Sequence, residues 1–324
     1  METVQSAEQK EKGRLYELDY MKCVFILLMV TFHLTFVSDT FPFAKGMVYT
    51  FHMPGFLLIS GYLMNVSKPA GAFMRTMLWL LVPYLVMESG YIMMASVLPI
   101  NEHIDHLTSS LFLYRLLVKP LGPYWYLQAM VLCGIVYYAA SRLVRGSSLL
   151  RTLLCVGASY GLSQLDVLSF PCAMYFFAGA VVRMYQLDFK EVFPPRKLSF
   201  LFLLLLMVDW ANLDKATAGG VAIVYFVMSA LMYLYGHTPH FLRGTMLWMG
   251  RNTLPIFLFS PIFTVLCKVL LMVMPAAIPQ PLQAMIFITV SLPVCVGGSV
   301  MTATVLEFTG LSLIMFGKRN VVTR

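Results

Sequence analysis

The sequence predicts an all-α fold: a polytopic integral-membrane helical bundle of about ten transmembrane helices, with both termini cytoplasmic. Three observations predict it. The 324 residues are 59% hydrophobic and only 12% charged, where a soluble domain is nearer half apolar and a quarter charged. Apolar runs of the length a helix needs to cross a bilayer recur along the whole chain. The basic residues cluster between those runs, so the net charge of +8 reads as topology and no nucleic-acid partner is expected.

The spans are expected near residues 19–38, 47–66, 76–98, 121–141, 149–165, 170–187, 199–212, 217–236, 253–274 and 282–308. Residues 1–17 form a polar cytoplasmic segment, and no cleavage site follows the first apolar run, so no removable signal peptide is expected. In the second span, Pro54-Gly55 should kink or open the helix, and Ser60-Gly61 permits close helix approach. The largest outer loop, 99–120, is part polar and part amphipathic and suits the membrane interface. It holds His103 and His106 beside Glu102 and Asp105, which reads as a solvated polar loop, and no metal site is expected. Tyr124, Trp125 and Tyr126 open the fourth span. The fifth and seventh spans are short, and 309–324 is a cytoplasmic tail. Nothing divides the chain, so 1–324 is expected to be a single membrane domain. The six cysteines sit in or beside apolar runs without metal-ligand spacing and are expected to be buried free thiols.

With the N-terminus inside, this layout places 18 of the 23 lysines and arginines in the cytoplasm. The outer five are Lys45, Arg115, Lys119, Lys215 and Lys268. An odd number of spans would spoil that bias.

The first span carries the unusual residues. Ionisable groups within a membrane cost a few kcal/mol each on insertion scales, yet Asp19, Lys22 and His33 all lie here. Lys22 and His33 are separated by close to three helical turns, so they share a face about 16 Å apart along the axis. Asp19 precedes Lys22 by one turn, the spacing of an ion pair. Asp19 and Lys22 then sit near the cytoplasmic interface, where they could hold an anionic group. His33 lies deeper, placed as a general base. The alternative is structural: Lys22 snorkels to lipid headgroups and His33 donates to a carbonyl. His52, counted from the outer start of the second span, comes to a depth similar to that of His33.

Arg14 through His33, followed by F-H-M-P-G-F-L-L-I-S-G-Y-L, resembles the membrane acyltransferase 3 family. Looser resemblances follow in order: F-M-R-T-M-L-W-L-L-V-P-Y at Arg75, Pro83 and Tyr84, P-Y-W-Y-L at Trp125, F-F-A-G-A-V-V at Gly179, and W-M-G-R-N-T-L-P-I-F-L-F from Gly250 to Phe257. Two positions depart from the family pattern. Lys22 stands where the family often has Arg, and Ser260 where the late block often has His. The resemblance implies transfer of an acyl group, most commonly acetyl, from cytoplasmic acyl-CoA to a hydroxyl of a carbohydrate or envelope glycan. No permanently bound cofactor is implied, and acetyl-CoA or another acyl-CoA serves as donor. The implied catalytic residues are His33, Asp19 and His52. Lys22, Arg14 and Arg75 would hold the donor. Trp125 and Tyr124 would meet the acceptor, although an aromatic belt at the interface is the better account of them from sequence. The family is commonest in bacterial inner membranes. Buried ionisable residues and a broken helix also suit a transporter or flippase for a lipid-linked sugar or small anion, and that alternative stays open here.

Overall fold

A computed structural model describes residues 14–98, 102–275 and 277–323; most of the expected polar N-terminal segment lies outside them. All regular structure among the described residues is helical. The helices are α1 Tyr16–His33, α2 Thr35–Thr40, α3 Pro42–Leu63, α4 Ala70–Val97, α5 Ser109–Leu117, α6 Trp125–Leu143, α7 Ser148–Gln164, α8 Phe170–Met184, α9 Phe189–Val192, α10 Leu198–Met207, α11 Ala218–His237, α12 His240–Arg251, α13 Thr253–Leu266, α14 Lys268–Met272, α15 Gln280–Thr309 and α16 Leu311–Phe316. Each expected span coincides with one or more of these. Four stretches are long and apolar enough to cross a membrane by length and composition: Ala70–Val97, Ala218–His237, Thr253–Met272 and Gln280–Thr309. The protein is a membrane protein by these helices. Their outward faces carry exposed Met285, Val290, Met301, Val305 and Phe308 on α15 alone, a surface suited to lipid and not to water.

α1 is the central helix. It packs on α3, α11, α12, α13 and α15. Leu18, Met21, Cys23, Phe25, Ile26, Met29 and Val30 are all buried on it, the all-round apolar pattern of a helix with neighbours on every side.

One expectation needs correction. The first span does not run unbroken to residue 38. It stops at His33, Leu34 turns extended (ψ 99°), and the short α2 follows. α3 stays helical through Pro54-Gly55, with the proline inside the helix. Gly55 also serves packing, because a Cβ there would strike the Phe25 ring. The seventh span, short in the sequence, is the ten-residue helix α10, about 15 Å long, followed by a 3-10 turn at Trp210–Asn212. Asn212 closes it by donating to the Leu206 carbonyl (3.0 Å).

Close helix approach explains two glycines of the family-like blocks. α3 and α8 form the most extensive helix pair. A Cβ at Gly61 would overlap the Phe176 carbonyl, and one at Gly179 would overlap the Leu58 carbonyl, so the two backbones meet through reciprocal glycines. Gly250 likewise lets α12 lie directly on the Asp19 carbonyl of α1.

The amphipathic part of the outer loop is α5, capped by the Thr108 hydroxyl accepting from Leu111 N–H (3.2 Å). The loop after it is knitted down by polar groups of the spans. Tyr84 donates to the Leu116 carbonyl (2.6 Å), Gln128 to the Leu117 carbonyl (2.8 Å), and Glu88 accepts from Leu121 N–H (2.6 Å). The C-terminal segment is tied back as well. Glu307 accepts from Val321 and Val322 N–H, and Asn252 pairs with both backbone groups of Thr323 (2.7 and 3.1 Å). All six cysteines are buried and unpaired.

Candidate active site

Two cavities lie one beyond the other along α1. The outer, of about 450 Å³, is lined by His33 and His52 together with Lys45, Tyr49, Trp125 and Lys215. The inner, of about 300 Å³, carries Lys22 and Lys68 at one end and an apolar body that includes Ile26, Phe56 and Leu127. Met53 lines both.

The two histidines come together as the span arithmetic expects. His33 ends α1, and its Nδ1–H donates to the Met29 carbonyl (2.7 Å). His52 does the same to the Val48 carbonyl (2.7 Å). A carbonyl can only accept, so each Nδ1 holds the proton and each neutral ring keeps a free lone pair on Nε2. The buried His52 Nε2 has no hydrogen-bond partner among the described residues. Tyr49 stands between the rings, 6.3 Å from His33 and 5.2 Å from His52 by centroids, and its hydroxyl is anchored on the Phe32 carbonyl (3.1 Å). The carbonyl bond that is the structural alternative to function is present at His33, and it leaves Nε2 free on a residue of the cavity wall.

Asp19 lies at the other end of α1 from His33 and does not join the histidines. Its buried carboxylate accepts from Arg14 (2.7 Å), takes Lys22 Nζ at 2.7 Å and has Arg251 Nε at 3.9 Å. Gly250 brings α12 onto α1 and so delivers Arg251 to this cluster. Asp19 therefore holds cations, at the end of α1 where the sequence places it, away from His33. Three cations around one carboxylate leave an electropositive site. A third cavity of about 320 Å³ borders it, lined by Arg14, Asp19, Lys22, Tyr62 and Arg183. Lys22 thus faces both this cavity and the inner one. Nearby Glu17 is committed to Lys190 (2.7 Å) and holds that exposed ammonium above its ordinary range.

Two further expectations are corrected. Arg75 points to the exposed face of α4 and lines none of these cavities; its neighbour Thr76 does, accepting from Lys68 Nζ (3.1 Å). Tyr124 is buried, and its hydroxyl donates to the Leu258 carbonyl (2.8 Å), so its ring is framework. The adjacent pair divides the work: Trp125 faces the outer cavity, and Tyr126 faces the inner one with its hydroxyl on Ser60 (2.7 Å). Ser260, where the family often has His, is buried and lines neither cavity. Among 102–106, Glu102 accepts from Gly122 N–H (2.7 Å), and no cluster of three metal-ligating residues occurs among the described residues.

Arg251, Arg183, Tyr49 and Lys215 are site residues that spacing along one helix did not single out. Only Arg251, inside the late block, carried a sequence signal.

The helical membrane fold thus brings two imidazoles to one cavity and gathers cations beside another. Residues 15–300 match the family described as an acyltransferase domain, and the chain belongs to that acyltransferase family. No curated protein and no solved structure matches the chain.

Proposed function

We propose that the protein is an integral-membrane O-acyltransferase that moves an acyl group, most commonly acetyl, from cytoplasmic acyl-CoA to a hydroxyl of a carbohydrate or envelope glycan. One observation carries the reading. Two imidazoles with free Nε2 atoms share an outer cavity, and Met53 alone lines both it and an apolar, lysine-ended inner cavity.

The donor's phosphates suit Arg14, Lys22, Arg183 and Lys68, and its thioester end suits the apolar inner cavity. At the outer end, His33 Nε2 takes the acceptor's hydroxyl proton as that oxygen attacks the thioester carbonyl. The C–O bond forms, the C–S bond breaks, and CoA leaves as the thiolate and is then protonated. In a covalent variant, Nε2 itself attacks the thioester carbonyl, the C–S bond breaks and CoA leaves as the thiolate; the acceptor oxygen then displaces the imidazole, and its proton neutralises the thiolate. Trp125 offers the acceptor an aromatic face.

An inner-membrane chain with cytoplasmic ends and about ten crossings fits this route. The basic-residue bias supports it. So does the meeting of the chain's two ends: Arg251 reaches Asp19 near the start of α1, and Asn252 beside it holds Thr323. Residues 1–324 act as one membrane unit in this reading.

The test uses purified protein in liposomes, radiolabelled acetyl-CoA and envelope glycan extract. Label reaches the glycan with the wild-type protein, and His33→Ala lowers the rate by roughly 100-fold or more while membrane insertion is unchanged. Full activity in His33→Ala would sink the mechanism. Label retained on the wild-type protein and absent from His33→Ala selects the covalent route.

A further inference from the structure

The outer cavity holds more positive charge than acyl transfer to a neutral sugar uses. Lys45, Lys215 and Lys268 all line it. They are three of the five basic residues that the charge tally leaves outside, and they come from distant parts of the chain: the start of α3, the loop before α11 and the start of α14. No carboxylate of the described residues lies within ion-pair distance of any of them. Glu102, the one acidic residue on the cavity wall, is engaged by Gly122 N–H. Lys45 Nζ stands 5.7 Å from the Tyr49 ring, which itself lies between the two histidines. With neutral histidines, the wall therefore has an excess of two positive charges around the free imidazole nitrogens.

Unpaired ammonium groups on the wall of a cavity sunk into an apolar bundle raise its potential and favour an anion there. The donor's charged end is already matched by the separate cluster at Asp19. We propose that the ligand of the outer cavity is an anionic acceptor: a glycan bearing carboxylate or phosphate groups, gripped by Lys45, Lys215 and Lys268 while a neighbouring hydroxyl meets His33 or His52. The assignment of this ligand as acceptor rests on the acyl-transfer reading; the anion site itself rests on the cavity.

Binding tests the site apart from catalysis. Detergent-purified protein is titrated with a galacturonic acid trimer, a glycerol-phosphate oligomer and a neutral galactose trimer. At least one acidic probe binds roughly tenfold or more tightly than the neutral one, with affinity falling as salt rises; which acidic probe prevails separates the carboxylate from the phosphate source. Lys45→Gln, Lys215→Gln and Lys268→Gln each weaken acidic binding, and the triple variant removes the preference. Thermal melting of each single variant guards against misfolding. Equal affinity for acidic and neutral probes overturns the proposal, and so does an acidic preference that survives the triple variant. Displacement of the acidic probe by free CoA also overturns it, since the donor would then occupy the site. Acetyl transfer is read separately. Acid binding without any transfer sinks the acyl-transfer reading alone, whereas acylation of neutral glycans at the same rate in the triple variant sinks the anionic acceptor alone.

Discussion

Arg14, Lys22 and Arg251 share the Asp19 carboxylate, and this division of charge decides what Lys22 can do. Lys22 is not a lysine in search of headgroups, because Asp19 pins its ammonium at the junction of two cavities. In the proposed reaction, Lys22→Ala raises the KM for acyl-CoA by about tenfold, the loss of one charge-assisted contact, with a smaller change in kcat. Lys22→Arg restores most of it, and Lys190→Ala, whose partner is Glu17, leaves the KM unchanged. Initial rates against acyl-CoA concentration check this, and an unaltered KM in Lys22→Ala removes Lys22 from the donor site. At this scale the sequence was readable where one helix sets the geometry. The Asp19–Lys22 pair follows from one-turn spacing, and the common depth of His33 and His52 follows from counting inward from a shared outer turn. Lys215 was not readable as a cavity residue, and Arg251 only as a member of the late block, since the docking of α12 and the loop before α11 brings them in. The separation of Asp19 from His33 was legible too, since fourteen residues of one helix span about 21 Å.

Helix contacts carry the same lesson at the next scale. The α3–α8 crossing is set by Gly61 and Gly179, each facing a carbonyl of the other helix. Even a methyl group there must push the helices apart, at a cost of about 1–3 kcal/mol. Gly179→Ala therefore lowers the melting temperature of the purified protein by several degrees, whereas Gly157→Ala, whose added Cβ meets nothing within 4 Å, does not. Thermal aggregation in detergent measures both, and equal melting temperatures would refute the close crossing. Ser60-Gly61 advertised this packing in the sequence, and hydropathy located the helices. Hydropathy did not locate their ends. The stop after His33 bears no proline or glycine, and the end of α10 depends on the Asn212 side chain turning back to Leu206. Pro54 does not end its helix, because a proline within a helix wrapped by neighbours need not interrupt it.

For the whole molecule, the proposed reaction requires a donor on one side and an acceptor on the other to meet without opening a leak. Met53 is the side chain placed to serve as the partition. Met53 is on the wall of both cavities, and Trp125 and Tyr126 take one side each. A methionine suits the position: it is unbranched and flexible, so it can yield to a passing acyl group and close again behind it. Removing it merges the cavities and lets water from the outer side reach the thioester. Met53→Ala is therefore expected to raise acceptor-independent hydrolysis of acetyl-CoA severalfold while transfer to glycan becomes less efficient per thioester consumed. Met53→Leu, which keeps the bulk, should leave the ratio of transfer to hydrolysis near that of the wild type. Released CoA and labelled glycan, measured in the same proteoliposomes, give that ratio directly. If Met53→Ala changes neither quantity, the two cavities do not form one route, and the donor must reach the histidines by another path through the bundle.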